Sequence, residues 1–162
     1  LAQLPRDFRF VVEPRHADFF AGETERRFEA LLRQHGCARG IFDTTALFSL
    51  PLHHSEAVSV AQGKKPKFPK RETRTADFAF IRFVGPPEVA ANAPWLQTWA
   101  ARVAEWLAAG EDVFFFLHNP DDTHSPEMAR LFHQQVNEHY AFPPLPAWNE
   151  TEAPQPKQAS LF

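Results

Sequence analysis

A single cysteine, Cys37, in 162 residues excludes an internal disulfide and a thiolate metal cluster, and it fits a reducing compartment. The opening stretch LAQLPRDFRF has neither a basic n-region nor an uninterrupted apolar h-region. No apolar run approaches the roughly 20 residues needed to cross a bilayer. A soluble, cytoplasmic protein without a membrane segment is therefore expected. Excess positive charge is also missing: 17 Lys plus Arg stand against 20 Asp plus Glu, for a formal charge of −3. That balance gives no global attraction to nucleic acid or to an anionic membrane, so any anion site must be local. The signatures GxGxxG, GxxxxGK with Ser or Thr, GxSxG and CxxC are absent, and neither Ser59 nor Cys37 has the local context of a nucleophile. An initiator methionine is missing too. The chain starts at Leu1, close to its first expected strand, which reads as a partial or trimmed chain.

What is present is an alternation of strand and helix patterns. FRFVVE (8–13) is a short apolar run bounded by Pro5 and Pro14. TERRFEALLRQHG (24–36) follows with Phe28, Leu31, Leu32 and His35 at helical spacing, Thr24 as N-cap and Gly36 as the C-terminal stop. CARGIFDTT (37–45) is a second strand candidate, interrupted by Gly40. DFAFIRFVG (77–85) is a third, almost wholly apolar, as in a strand covered on both faces, with Arg82 as the exception. PWLQTWAARVAEWLAAG (94–110) reads as a helix with Pro94 in its first turn, Gly110 at its end, and Trp95, Trp99, Val103 and Trp106 on one packing stripe. DVFFFLHN (112–119) is the fourth strand. A last helix opens at Ser125-Pro126 and carries Met128, Leu131, Phe132 and Val136 inward.

Residues 47–75 show no periodic pattern and read as a long basic loop. Lys64 to Arg74 holds six Lys or Arg residues against one Glu. Such a run is ordinarily solvated surface, with a phosphate or nucleic-acid contact as the sharper alternative. Residues 141–162 read as a Pro-rich C-terminal tail behind a 1–140 domain.

Strands separated by helices of this length are the mark of β/α units around a parallel sheet. In such folds the C-terminal strand ends lie on one side, where ligand chemistry is assembled. Here those ends carry Glu13, Arg15 and His16, then Asp43, then Arg82 and Gly85, and finally His118 and Asn119. Glu13 and Asp43 are carboxylates suited to acid or base work, although each also has an arginine at hand to neutralise it. Arg15 and Arg82 suit bidentate capture of a carboxylate or phosphate. His16 and His118 are of metal-ligand type, but no HxH or HExxH spacing accompanies them, so no metal site is assigned. The residues name no cofactor.

Four ordered motifs carry a family resemblance. VVEPRHADFF is similar to VEvRHpsW, FDTT to a D-T/S pair, FAFIRFVG to YvRLHG, and DVFFFLHNPDD to DvYvyFNND; WLQTWAARVAEWLAAG also resembles an L-x-x-WA-x-x-I-x-x-W helix. Together they resemble the DUF72, or YecE-like, family, over roughly Leu4 to Leu131. The resemblance implies a TIM-type (β/α)8 barrel, akin to sugar-isomerase and endonuclease IV barrels, of which this chain holds the C-terminal half. It carries over Glu13, Arg15, His16, Asp43, Arg82, Gly85 and Asn119. It departs at Val84, where the family has a histidine, at His118, where it has an asparagine, and at Pro120, where it has an aspartate.

The expected function is binding of a small polar or phosphorylated ligand at the strand ends. As an enzyme the protein would be a hydrolase or isomerase, with Glu13 or Asp43 as base and His16 as acid or ligand. A degenerate, non-catalytic binding or interaction module is the alternative from another class, favoured by Val84 and the basic loop. Nucleic-acid handling is a third reading, with little basic-aromatic patterning behind it. Half a barrel would leave unpaired edges, so self-association or pairing with a missing N-terminal half is expected as well.

Overall fold

The computed structural model describes residues 1–5 and 7–146. It is an α/β fold in which every strand pairing is parallel, built as two small open sheets. β1 (Val11–Val12) pairs with β2 (Ala38–Arg39), and β3 (Ile41–Asp43), β4 (Phe78–Val84) and β5 (Asp112–His118) follow in that order. This corrects the barrel expectation. A two-stranded and a three-stranded sheet, neither returning on itself, do not make a closed (β/α)8 TIM barrel.

The two sheets are joined through Gly40, the single residue between β2 and β3. A Cβ there would lie 3.1 Å from Val11 Cγ1 and 3.2 Å from Glu13 Cβ. Glycine spares the chain at β1 that crowding, and the Gly40 N–H donates to the Val12 carbonyl at 2.9 Å. On the other side of β2, before β4 begins, Thr75 acts as a side-chain rung. Its hydroxyl accepts from the Arg39 N–H and donates to the Cys37 carbonyl, both at 2.7 Å.

The helices are α1 (Gly22–Gln34), α2 (Thr45–Ser49), α3 (Glu56–Lys64), α4 (Val89–Ala108) and α5 (Ser125–Asn137). Several differ from expectation. α1 begins two residues before Thr24, with Glu23 and Glu25 in its first turn where carboxylates favour the helix dipole. Gly36 ends it at φ +62, as expected of a left-handed stop. α4 begins five residues before Pro94, which lies inside the helix; Asn92 holds the start by donating to the Pro86 and Glu88 carbonyls at 3.1 and 2.8 Å. The stretch 47–75, expected to be a structureless loop, contains the end of α2 and all of α3. Ser55 caps α3 by accepting from the Val58 N–H at 3.2 Å. Both helices are short, so neither gives a clear apolar period.

α4 and α5 cover one face of the larger sheet. Ile41, Ala79, Ile81 and Phe83 meet Leu96, Trp99, Ala100 and Val103 from α4 and Met128, Phe132 and Val136 from α5. Burying each large side chain contributes about 1.5–3 kcal/mol before entropy is counted. A smaller cluster of Leu47, Val58, Ala61 and Val84, with Phe42 and Leu50 against it, seats α2 and α3 on the opposite side of the strand ends. Among the described residues no helix is long and apolar enough to cross a membrane. The Pro-rich tail expected at 141–162 lies outside the described residues from 147 onward.

Candidate functional site

Glu13 follows β1 and passes beside Gly40, whose missing side chain leaves room for its carboxylate to reach over to β4. There Arg82 Nη1 donates to Glu13 Oε1 and Oε2 at 3.3 and 3.1 Å. Arg15 Nη2 lies 2.6 Å from Glu13 Oε1. Both guanidiniums also lie over the Phe42 ring, Arg15 at 4.6 Å and Arg82 at 5.2 Å from its centroid. Phe42 is in register with Arg82 across the β3–β4 ladder, so the aromatic platform and one cation are fixed by backbone pairing. The result is one carboxylate bridging two arginines above a ring, at the C-terminal side of the strands.

The other expected site residues have different surroundings. Asp43 is 3% exposed; its Oδ1 accepts from the Thr45 N–H at 2.9 Å and its Oδ2 from Trp99 Nε1 at 2.7 Å. It ties the end of β3 to α2 and α4. His16 is exposed and accepts from the Asp18 N–H at 3.4 Å, opening a 3-10 turn over Ala17–Phe20. His118 pairs with Asp122 at 3.0 Å and stands opposite Val84 in the ladder. Asn119 is buried, accepting from the Ser125 hydroxyl at 3.2 Å and donating to the Pro87 carbonyl at 3.4 Å. Gly85 is demanded by packing, since a Cβ there would fall 1.6 Å from Asn92 Oδ1. Glu13, Arg15 and Arg82 are thus brought together, while Asp43, Gly85 and Asn119 hold the loops around them. Among the described residues no group of three or more His, Cys, Asp or Glu side chains is placed to share a metal ion.

Two features escaped sequence reasoning. Arg39 is 2% exposed, yet it is fully partnered: its guanidinium meets Glu29 at 2.6 Å, Glu25 at 3.1 Å and the Phe19 carbonyl at 2.8 Å, between the rings of Phe20 and Phe28. A polar residue in a short apolar run was the one available signal. The second is the fate of the basic run. Lys70 lies 4.4 Å over Trp99 and pairs with Glu72, while Arg71 reaches Glu25 at 2.8 Å and the Phe20 carbonyl at 2.6 Å. Arg74 pairs with Glu111 and stacks on Trp106. Burial lowers the Arg74 pKa from its ordinary value, against the opposing charge of Asp77. These cations strap 65–75 down onto α1 and α4, so the tryptophans of the α4 stripe serve both the core and the strap.

A family model described as "Protein of unknown function DUF72" matches residues 1–156. UPF0759 protein YecE of Escherichia coli strain K12 is 36% identical over 167 aligned residues, covering 100% of this chain and 57% of that protein. Its counterpart in Escherichia coli O157:H7 is 35% identical with the same coverage. The chain therefore spans little more than half the length of these curated relatives. No solved structure matches it.

Proposed function

The chain belongs to the DUF72 family, and from that premise we propose that Arg15 and Arg82, with Glu13 between them, bind the acid group of a small polar or phosphorylated ligand at the strand ends. The observation that carries this reading is the shared carboxylate. Two guanidiniums against one carboxylate leave an uncompensated positive charge held over Phe42. Arg15, with a side chain 47% exposed, is the arm that solvent and ligand reach first. A ligand carboxylate or phosphate replaces Glu13 on Arg15, where the present ion pair is a single Nη2 to Oε1 contact and an incoming acid group can use both guanidinium nitrogens.

That exchange is also the route to catalysis. Once released from Arg15, the Glu13 carboxylate is available as a base for a hydrolase or isomerase step, with Arg82 keeping it positioned. Asp43 has no such freedom while both its oxygens accept N–H groups, so its part is positioning. The test is calorimetric titration of the 162-residue chain with inorganic phosphate and with glucose 6-phosphate. Saturable binding that weakens at least tenfold in Arg15→Met and in Arg82→Met is the expected result. Equal binding by all three proteins sinks the reading.

A second reading, a non-catalytic interaction module that self-associates, is favoured by β5. It is the last strand of its sheet, and Phe114 and Phe116 on it are 41% and 47% exposed. Sedimentation velocity over a concentration series tests it: wild type shifts to a larger species and Phe116→Ser does not. The engagement of Lys70, Arg71 and Arg74 within the chain gives no support to nucleic-acid handling.

A further inference from the structure

Beside the end of β3, the strap and the first turn of α2 flank an open groove of about 260 Å³, lined among others by Thr45, Phe48, Ser49, Lys67, Phe68 and Trp95. Its walls are held from outside. Phe68 stacks on Phe20 with ring centroids 4.6 Å apart and planes 23° apart, and Thr44 donates to the Pro66 carbonyl at 3.2 Å, fixing the strap one residue before Lys67. Trp95 packs against the main core.

The lining combines three aromatic rings with an exposed cation. Lys70, Arg71 and Arg74 on the same strap each pair with a carboxylate. Lys67 does not: among the described residues its one recorded partner is the Phe48 ring, 5.4 Å from the ammonium. The Thr45 hydroxyl makes no hydrogen bond among the described residues, and Ser49, which donates to the Ala46 carbonyl at 2.7 Å, keeps its lone pairs. A positive charge with no counter-ion, flanked by hydroxyls and flat apolar walls, is complementary to an anion attached to a ring. The volume falls below the lower end of drug-sized pockets, about 300 Å³, so a single ring with one acid group is the size that fits.

We propose that this groove is a second ligand site, taking a small planar-ring compound that carries one carboxylate or phosphate. The ring lies among Trp95, Phe68 and Phe48, and the acid group meets Lys67 and the Thr45 hydroxyl. The site is independent of the Arg15–Arg82 cluster and stands or falls separately from it.

Calorimetry and saturation-transfer NMR on the full chain, with benzoate, phenyl phosphate and inorganic phosphate as probes, test it. At least one ring acid is expected to bind saturably, tenfold or more tightly than inorganic phosphate, and benzoate against phenyl phosphate decides which acid is preferred. Lys67→Met, which keeps the stem against Phe48, weakens binding at least tenfold; Lys64→Met, on exposed α3 surface, leaves it unchanged. Retention of the ring acid by Lys67→Met with loss in Arg82→Met places the ligand at the other cluster and overturns the proposal. So does the absence of saturable binding at millimolar concentration, or inorganic phosphate binding as tightly as phenyl phosphate.

Discussion

The two faces of the β3-β4-β5 sheet are made from the same strands and have opposite fates. Along β4, Ala79, Ile81 and Phe83 turn to α4 and α5 and are almost wholly buried. Their neighbours Phe80 and Arg82 turn the other way, where Phe80 meets Phe116 at 4.9 Å and Arg82 meets Glu13. The first face is apolar contact sealed by two helices. The second mixes aromatic rings with guanidiniums and keeps Phe114 and Phe116 in partial contact with water. A period of two along one strand therefore separates the helix-sealed core from a charged, partly wet face, since alternate side chains are delivered to different surroundings.

The sharpest break of this contrast is Phe83→Ala on the sealed face, where the lost side chain leaves a cavity between sheet and helices. A loss of about 3–5 kcal/mol is expected in urea unfolding, enough to leave much of a marginal chain unfolded. Asp43→Asn tests the hinge between the faces. Its amide group would oppose the Thr45 or Trp99 N–H, both of which donate to the present carboxylate, and a loss of about 1–3 kcal/mol should appear in the same assay. Gly40→Ala probes the open face through its approach to β1. The new Cβ presses on Val11 and Glu13, with an expected cost of about 1–3 kcal/mol from overpacking and tighter phosphate binding as the displaced Glu13 frees Arg15. Smallest is Phe116→Ser. Half exposed and packed on Phe80, it should cost about 1 kcal/mol of stability while reducing concentration-dependent sedimentation.

Much of this was legible without coordinates. β4, β5 and the start of α5 were placed almost to the residue, and α4 was found though its start was set five residues late at Pro94, because long apolar runs and the 3.6-residue spacing of Trp95, Trp99, Val103 and Trp106 are strong local signals. The Glu13–Arg82 pairing was foreseeable as a neutralisation of charge at adjacent strand ends, and it occurs. What failed had physical reasons. β1 is two residues long rather than six because its parallel partner β2 begins only at Ala38, just after the α1 stop at Gly36, and ends before Gly40. α2 and α3 were missed because five and nine residues carry too little period to read, and their cores depend on Val84, far away in sequence. The barrel was inferred by resemblance, and strand closure depends on which edges meet, which no local pattern encodes.

By itself, then, the sequence determined the alternation of strand and helix, the parallel class of the sheet, the family, and the set of polar residues at the strand ends. Those follow from periodicity, capping and ordered motifs, all of which act within a few residues. Only the tertiary structure decided that Arg82 joins Arg15 on Glu13, that Trp99 reaches Asp43, and that Lys70, Arg71 and Arg74 of the basic run are strapped down while Lys64, Lys65 and Lys67 have no ion pair among the described residues. The Glu13–Arg82, Asp43–Trp99 and Glu25–Arg71 contacts join residues 69, 56 and 46 positions apart, where side-chain partners are chosen by packing and charge rather than by neighbours in sequence.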